Sequence, residues 1–191
     1  MIKSKDDLRF YLSEDRKRNM KRNTLLYNIC YYIFPNDNMM AYKYLKSLRK
    51  LEYAINCKRG KGVIGNLVYV YRRIINLYLG KKYNINILPN CLGYGFYIPH
   101  VVGGGIIINC KSIGNYCSAN SGVVVGINHS SNSKPTIGNN VDMNIGCKIV
   151  GNITIGDNVT IGPNSVIYKD VPSNCVVLGV PGEIIKRKTN V

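Results

Sequence analysis

The chain divides near residue 82 into two stretches whose apolar residues recur with different periods. In the front stretch the spacing is helical. Ser4 followed by Asp7 has the form of a capping box ahead of Leu8, Tyr11 and Leu12. Asn36 or Asp37 can cap a second helix, with Ala41, Tyr44, Leu45, Leu48, Leu51 and Ile55 on one face. The Gly60–Gly65 region is a breaker. Beyond it, Leu67, Val70, Tyr71, Ile74 and Tyr78 form a third stripe, predicted to stop at Gly80. Roughly three helices are expected before residue 82, their tyrosines serving core and interface packing.

The back stretch follows a period of six. Stepping from Ile137 gives Met143, Ile149, Ile155, Ile161 and Ile167, all large and apolar. Four places after each lie Val141, Cys147, Ile153, Val159, Ser165 and Val171, which are small or β-branched. Upstream the same register picks up Ile107, Ile113, Ala119 and Val125. A period of six fits neither an amphipathic helix nor an alternating strand. It fits a chain that turns a corner every six residues and sends a side chain inward from each flat face. Three faces make a triangular coil, and stacked coils pair their backbones at about 4.8 Å. Asn and Gly supply the unusual backbone angles at the corners.

The predicted fold class is therefore mainly β: a left-handed parallel β-helix over residues 83–191 with a closing segment, after a basic α-helical region over 1–82. About five coils of about 18 residues each are expected. One interruption stands out. The inward position between Val125 and Ile137 would be Ser131, inside the polar run Asn128-His129-Ser130-Ser131-Asn132-Ser133. That run is expected to leave the coil as a loop, where sites are commonly built.

Charge and cysteine refine this picture. Residues 1–82 carry 19 Lys and Arg against 6 Asp and Glu, a net of +13, whereas 83–191 carry 7 against 4, a net of +3. A basic front could meet an anionic polymer or membrane surface, or present only a solvated helix surface. Without a recognised motif the charge does not indicate nucleic-acid binding. The seven cysteines include no C-x-x-C pair and several occupy repeat positions, which suggests reduced packing residues. No signal-peptide architecture opens the sequence, and the apolar stretches 24–34 and 67–79 fall short of the roughly 20 residues of a membrane span. A soluble, cytoplasmic protein is expected.

The stretches I-P-H-V-V-G-G-G-I-I-I-N (98–109), I-G-N-N-V-D-M-N-I-G-C-K-I-V-G-N-I-T-I-G-D-N-V-T-I-G-P-N-S-V-I (137–167) and K-D-V-P-S-N-C-V-V-L-G-V-P-G-E-I-I (169–185) resemble the hexapeptide-repeat acetyltransferases. Within that group they resemble the serine acetyltransferase branch and its capsule-polysaccharide O-acetyltransferase relatives. The resemblance covers about 84–186 well and the helical front more loosely. It implies an acyltransferase that uses acetyl-coenzyme A and needs no metal. It also implies a homotrimer, with a dimer of trimers left open, whose donor lies in the groove between neighbouring β-helices. The matching groove positions are Gly126, Ile145 and Pro163, with Lys169 and Lys186 beside the phosphates. Ordinary surface lysines are the competing reading of those two.

Acetyl transfer to a hydroxyl needs a base, an oxyanion donor and an acceptor held about 3 Å from the thioester carbon. Imidazole titrates near neutrality and suits the base role. Of the two histidines, the resemblance makes His100 the general base and puts an oxyanion donor near the Gly126–Ile127 backbone. His129, in the extruded run, is a candidate for acceptor or cofactor contact against a plain exposed loop residue.

The departures from the family pattern set the expected acceptor. Where serine acetyltransferases have an Asp before the catalytic histidine, this chain has Pro99. A second acid would fall at Asn86, allowing a one-residue gap, and a second active-site histidine at Lys134. Asn86, His129 and Lys134 are thus the candidate acceptor-binding residues. With those carboxylates missing, the expectation is an O-acetyltransferase acting on a saccharide, in capsular or surface polysaccharide or a membrane-linked glycan precursor. Serine O-acetylation for cysteine biosynthesis is the alternative. A zinc hydrase on the same scaffold needs three converging histidines, more than this sequence holds. A non-catalytic β-helix that organises a partner complex is the remaining class.

Overall fold

The computed structural model describes residues 1–20, 36–127 and 133–188. Helix α1 (Lys5–Asn19) starts where Ser4 Oγ accepts a hydrogen bond from the Asp7 amide at 2.9 Å. Helix α2 (Asp37–Cys57) is capped by Asn36, whose Oδ1 accepts from the Met39 amide at 3.0 Å. Its Ala41, Tyr44, Leu45 and Leu48 are buried in one continuous core with the β-coil. Tyr44 lies between the two parts, its hydroxyl accepting from the Ile87 amide at 3.0 Å.

Helix α3 (Gly62–Tyr83) departs from expectation twice. It runs through Gly80 and ends at Asn84, which takes the left-handed conformation and donates its amide to the Gly80 carbonyl. Gly80 is needed for close approach instead, since a Cβ there would lie 2.8 Å from the Ile85 carbonyl oxygen. The stripe Leu67, Val70, Tyr71, Ile74 and Tyr78 also faces outward rather than into this chain's core.

The back stretch is a three-sided parallel coil. Face one holds β1 (Ile85–Ile87), β2 (Ile106–Ile108), β5 (Val124–Gly126), β8 (Lys148–Val150) and β11 (Val166–Ile167). Face two holds β3 (Ser112–Ile113), β6 (Thr136–Ile137) and β9 (Thr154–Ile155). Face three holds β4 (Ser118–Ala119), β7 (Asp142–Met143), β10 (Thr160–Ile161), β12 (Cys175–Leu178) and the antiparallel closing strand β13 (Glu183–Arg187). All six large residues of the register from Ile137 to Ile167 are buried, and so are the six that follow them by four places.

The periodicity slips upstream. Ile108, not Ile107, aligns with Val125, so Ile107 points outward and is 47% exposed while Ile106 and Ile108 are buried. The cause is a corner one residue short: five positions separate Ile108 from Ile113, whereas six separate Ile149 from Ile155. On face one, Val125 pairs with Ile149, 24 residues on, whereas Ile149 pairs with Ile167 after 18. One six-residue unit is therefore extra between β5 and β6. The residues expected to form that loop, including His129 and Ser131, lie mainly outside the described residues.

Where faces two and three meet, Asn140, Asn158 and Asn174 all take positive φ, between 52° and 59°. Their amides link at 3.2 and 3.0 Å, so each corner residue also ties successive coils. Cys91, Cys110, Cys117, Cys147 and Cys175 are buried free thiols, Cys57 is half-buried, and Cys30 lies outside the described residues. No helix among the described residues is long and apolar enough to cross a membrane.

Candidate functional site

His100 sits at the edge between faces three and one, where the first coil is enlarged. Seven residues (99–105) carry the chain from Ile98 to β2, whereas four (120–123) carry it from β4 to β5. The enlarged corner folds onto the next coil: Ser121 Oγ donates to the Gly104 carbonyl at 3.0 Å. A Cβ on Gly104 would lie 2.9 Å from that hydroxyl, so only glycine allows the approach.

The imidazole is 61% exposed and its Nδ1 lies 3.3 Å from the carboxylate of Asp37, itself 32% exposed. Asp37 is the first residue of α2. In sequence it reads as a helix-start acid, favourable for the helix dipole, and that reading hid its second contact. A signal was available in the scarcity of acids, of which the chain has only ten.

A buried cluster holds this coil against the helices. Arg49, fully buried, donates from Nε to Asp15 Oδ2 at 2.8 Å and from a terminal nitrogen to Glu52 Oε2 at 3.0 Å. It also donates to the carbonyls of Leu92 and Gly93. The two acids continue the network: Asp15 accepts from the Phe96 amide at 3.1 Å and Glu52 from the Asn90 amide at 2.8 Å. Asn19 completes it, donating to the Phe96 carbonyl at 2.7 Å and accepting from the Ile98 amide at 3.2 Å. Burial alone would lower the Arg49 pKa, but the carboxylates of Glu52 and Asp15 outweigh it and hold that pKa above the usual range. The segment leading to His100 is thus fixed to α1 and α2 by charge-assisted bonds.

The remaining residues singled out in the sequence divide between edges. Ile145 and Pro163 lie on the same edge as His100, in the turns after β7 and β10. These turns stack, with the Gly146 amide donating to the Ser121 carbonyl at 2.9 Å and the Asn164 amide to the Ile145 carbonyl at 2.8 Å. Gly126, Lys134 and Lys169 lie on the next edge, between faces one and two. There a cleft of about 520 Å³ is lined by Asn90, Lys111, Ser133, Lys134 and Asn152 among others. Asn86 lies elsewhere, outward on face one beside α3, and Lys186 is exposed on β13 of face three. Within one chain, therefore, His100 is not brought together with Gly126, Lys134, Asn86 or Lys186. His129 is outside the described residues.

No family model matches the chain. Among curated proteins, a serine acetyltransferase of Synechococcus elongatus is 46% identical over 99 residues, covering 50% of this chain and 40% of that protein. One of Staphylococcus xylosus is 38% identical over 122 residues, covering 62% and 56%. The chain spans about half the length of these curated relatives. Among solved structures, the Brucella abortus serine acetyltransferase in complex with coenzyme A has a TM-score of 0.70 at 20% identity, with 96% of this chain and 68% of that one covered. The Neisseria gonorrhoeae enzyme in complex with serine has a TM-score of 0.67 at 20% identity, with 95% and 70% covered.

These likenesses overturn the expectation of a saccharide acceptor of the capsule type: the relatives and structures named above are serine acetyltransferases. The inference failed because it sought carboxylates beside His100 in sequence, at positions 99 and 86. The structure supplies one from the helical front instead, at Asp37. In sequence and in fold, the chain is similar to the hexapeptide-repeat serine acetyltransferases.

Proposed function

We propose that the protein transfers an acetyl group from acetyl-coenzyme A to the hydroxyl of serine, with His100 as general base. The observation that carries the reading is the His100–Asp37 pair on an exposed edge of the coil. Asp37 accepts from Nδ1–H and so selects the tautomer whose Nε2 is free to take the serine hydroxyl proton. Bound acetyl-coenzyme A supplies an acetyl group activated as a thioester. In the net reaction, serine exchanges its O–H for an O–acetyl bond and the sulfur takes up the proton. His100 holds that proton between the two, with its charge offset by Asp37.

The chain's own groups suit the donor. A Cβ at Gly126 would meet no atom of the described residues within 4 Å, which leaves its backbone open to a pantetheine arm. Ile145 is an exposed apolar side chain and Lys169 an exposed cation. Because His100 and Ile145 stand on one edge and Gly126, Lys134 and Lys169 on another, one site can use both sets only across a subunit boundary. A homotrimer with face one towards its threefold axis would bring the two edges of neighbouring copies together. The geometry supports that assembly, with Lys134 reaching the substrate from the adjacent copy.

The test is coenzyme A release with serine as acceptor. Turnover should require serine and should fall by about 10²-fold or more in His100→Ala. Absence of serine-dependent release from well-folded protein would reject the proposal.

A further inference from the structure

We infer that the exposed face of α3 packs against the same helix of two further copies of this chain, forming a parallel three-helix seam around the threefold axis. This rests on the trimer reading above and extends it into the helical front. The outward residues Val63, Leu67, Val70, Ile74 and Leu77 alternate in steps of four and three, the spacing of a coiled-coil seam. All five are 48–76% exposed in the single chain. Ile64, Tyr71 and Tyr78 flank them at heptad spacing and widen the stripe to that of a bundle helix. A row of this size is not left in water on a stable single subunit.

The occupant follows from two further observations. First, the stripe continues onto the coil: Leu77 and Ile107 line one cleft of about 340 Å³ between α3 and face one. Face one also has the least polar outer row. Its register runs Asn86, Ile107, Val124, Lys148, Val166, whereas face two shows Ser112, Thr136 and Thr154. The face bounded by both half-sites is thus the one suited to burial, and α3 stands above it.

Second, the charges on α3 suit parallel copies. In parallel register Arg73 of one helix meets Tyr78 of the next, and Asn66 meets Tyr71, so at these flanking positions no cation faces a cation. Lys81 would fall on the seam only at its C-terminal end, beside the opening towards face one, where its amine can reach water.

Sedimentation velocity on the full chain and single-cysteine cross-linking test this. Wild type should sediment as a trimer, and Ile74→Asp should raise its dissociation concentration at least about tenfold with helicity unchanged by circular dichroism. Val63→Cys and Leu77→Cys, at opposite ends of the stripe, should each cross-link to the same position of another copy. A monomeric wild type would overturn the trimer reading and the seam with it. A trimer unaffected by Ile74→Asp, or cross-links only with a central Val70→Cys, would overturn the seam alone. So would loss of binding to phosphatidylglycerol vesicles in Ile74→Asp with the trimer intact.

Discussion

Asp37 and His100 are 63 residues apart in the chain, yet the Asp37 carboxylate lies 3.3 Å from His100 Nδ1. The contact joins the helical front to the repeat coil, so the proposed base is completed only when both parts are folded together. A hydrogen bond to a charged group contributes about 1.5–3 kcal/mol, roughly ten- to a hundredfold in rate. With His100 more than half exposed, the lower end applies. Asp37→Asn should therefore lower kcat/KM for serine about tenfold, less than His100→Ala, and Asp37→Asn in the His100→Ala background should cost little more. Additive losses in that double-mutant cycle would show that the two residues act separately.

Arg49 makes a second prediction. Removing one partner of a buried ion cluster leaves the others uncompensated and costs about 3–5 kcal/mol. Arg49→Met should show that loss in urea denaturation. Replacing Asp15 and Glu52 by Leu as well should not restore stability, because both acids also accept backbone amides, from Phe96 and Asn90. Full recovery in the apolar triple variant would mean that the cluster acts only through its charges.

The coil was legible in the sequence because a six-residue period admits few explanations and each face repeats it. The helix caps were equally readable, since Ser4 and Asn36 act within three residues of themselves. Ile107 was misplaced because a single short corner shifts the phase, and a run of three isoleucines conceals the shift. Asp37 was missed for a different reason. Its role comes from a contact between two independently patterned segments, and a local reading of either segment gives no sign of the other. Pro99 and Asn86 carry no carboxylate, but that says nothing of a carboxylate brought to His100 from elsewhere in the fold, as Asp37 is.

The buried thiols give a pH signature. Burial, their largest cause, pushes Cys117 up to about 11 and Cys147 up to about 12. Both should resist iodoacetamide in the native protein at pH 8.5, while half-buried Cys57 reacts first among the described cysteines. The sign of the linkage follows from the raised values. The protonated thiols favour the folded state, so their contribution is complete below the ordinary thiol pKa and is lost as pH rises from about 9 towards 12. Global unfolding curves at pH 8, 10 and 11 should show falling stability, and alkylation of Cys117 or Cys147 without unfolding would contradict the assignment.

Gly126 separates a binding role from a folding role. It ends β5 in ordinary extended backbone, and a Cβ there would meet no atom of the described residues within 4 Å in the single chain. Gly126→Val should therefore change folding stability by no more than about 0.5 kcal/mol, as at an open surface position. If the donor lies against this backbone in the groove between copies, the added methyl groups occupy its path. KM for acetyl-coenzyme A should then rise by about tenfold or more, with kcat changed little, because the lost contact acts on bound substrate and transition state alike. Trimer formation should persist, which sedimentation checks in the same samples. An unchanged KM in a folded, trimeric Gly126→Val protein would remove Gly126 from the donor groove and leave its edge with Lys134 and Lys169 to serve another purpose.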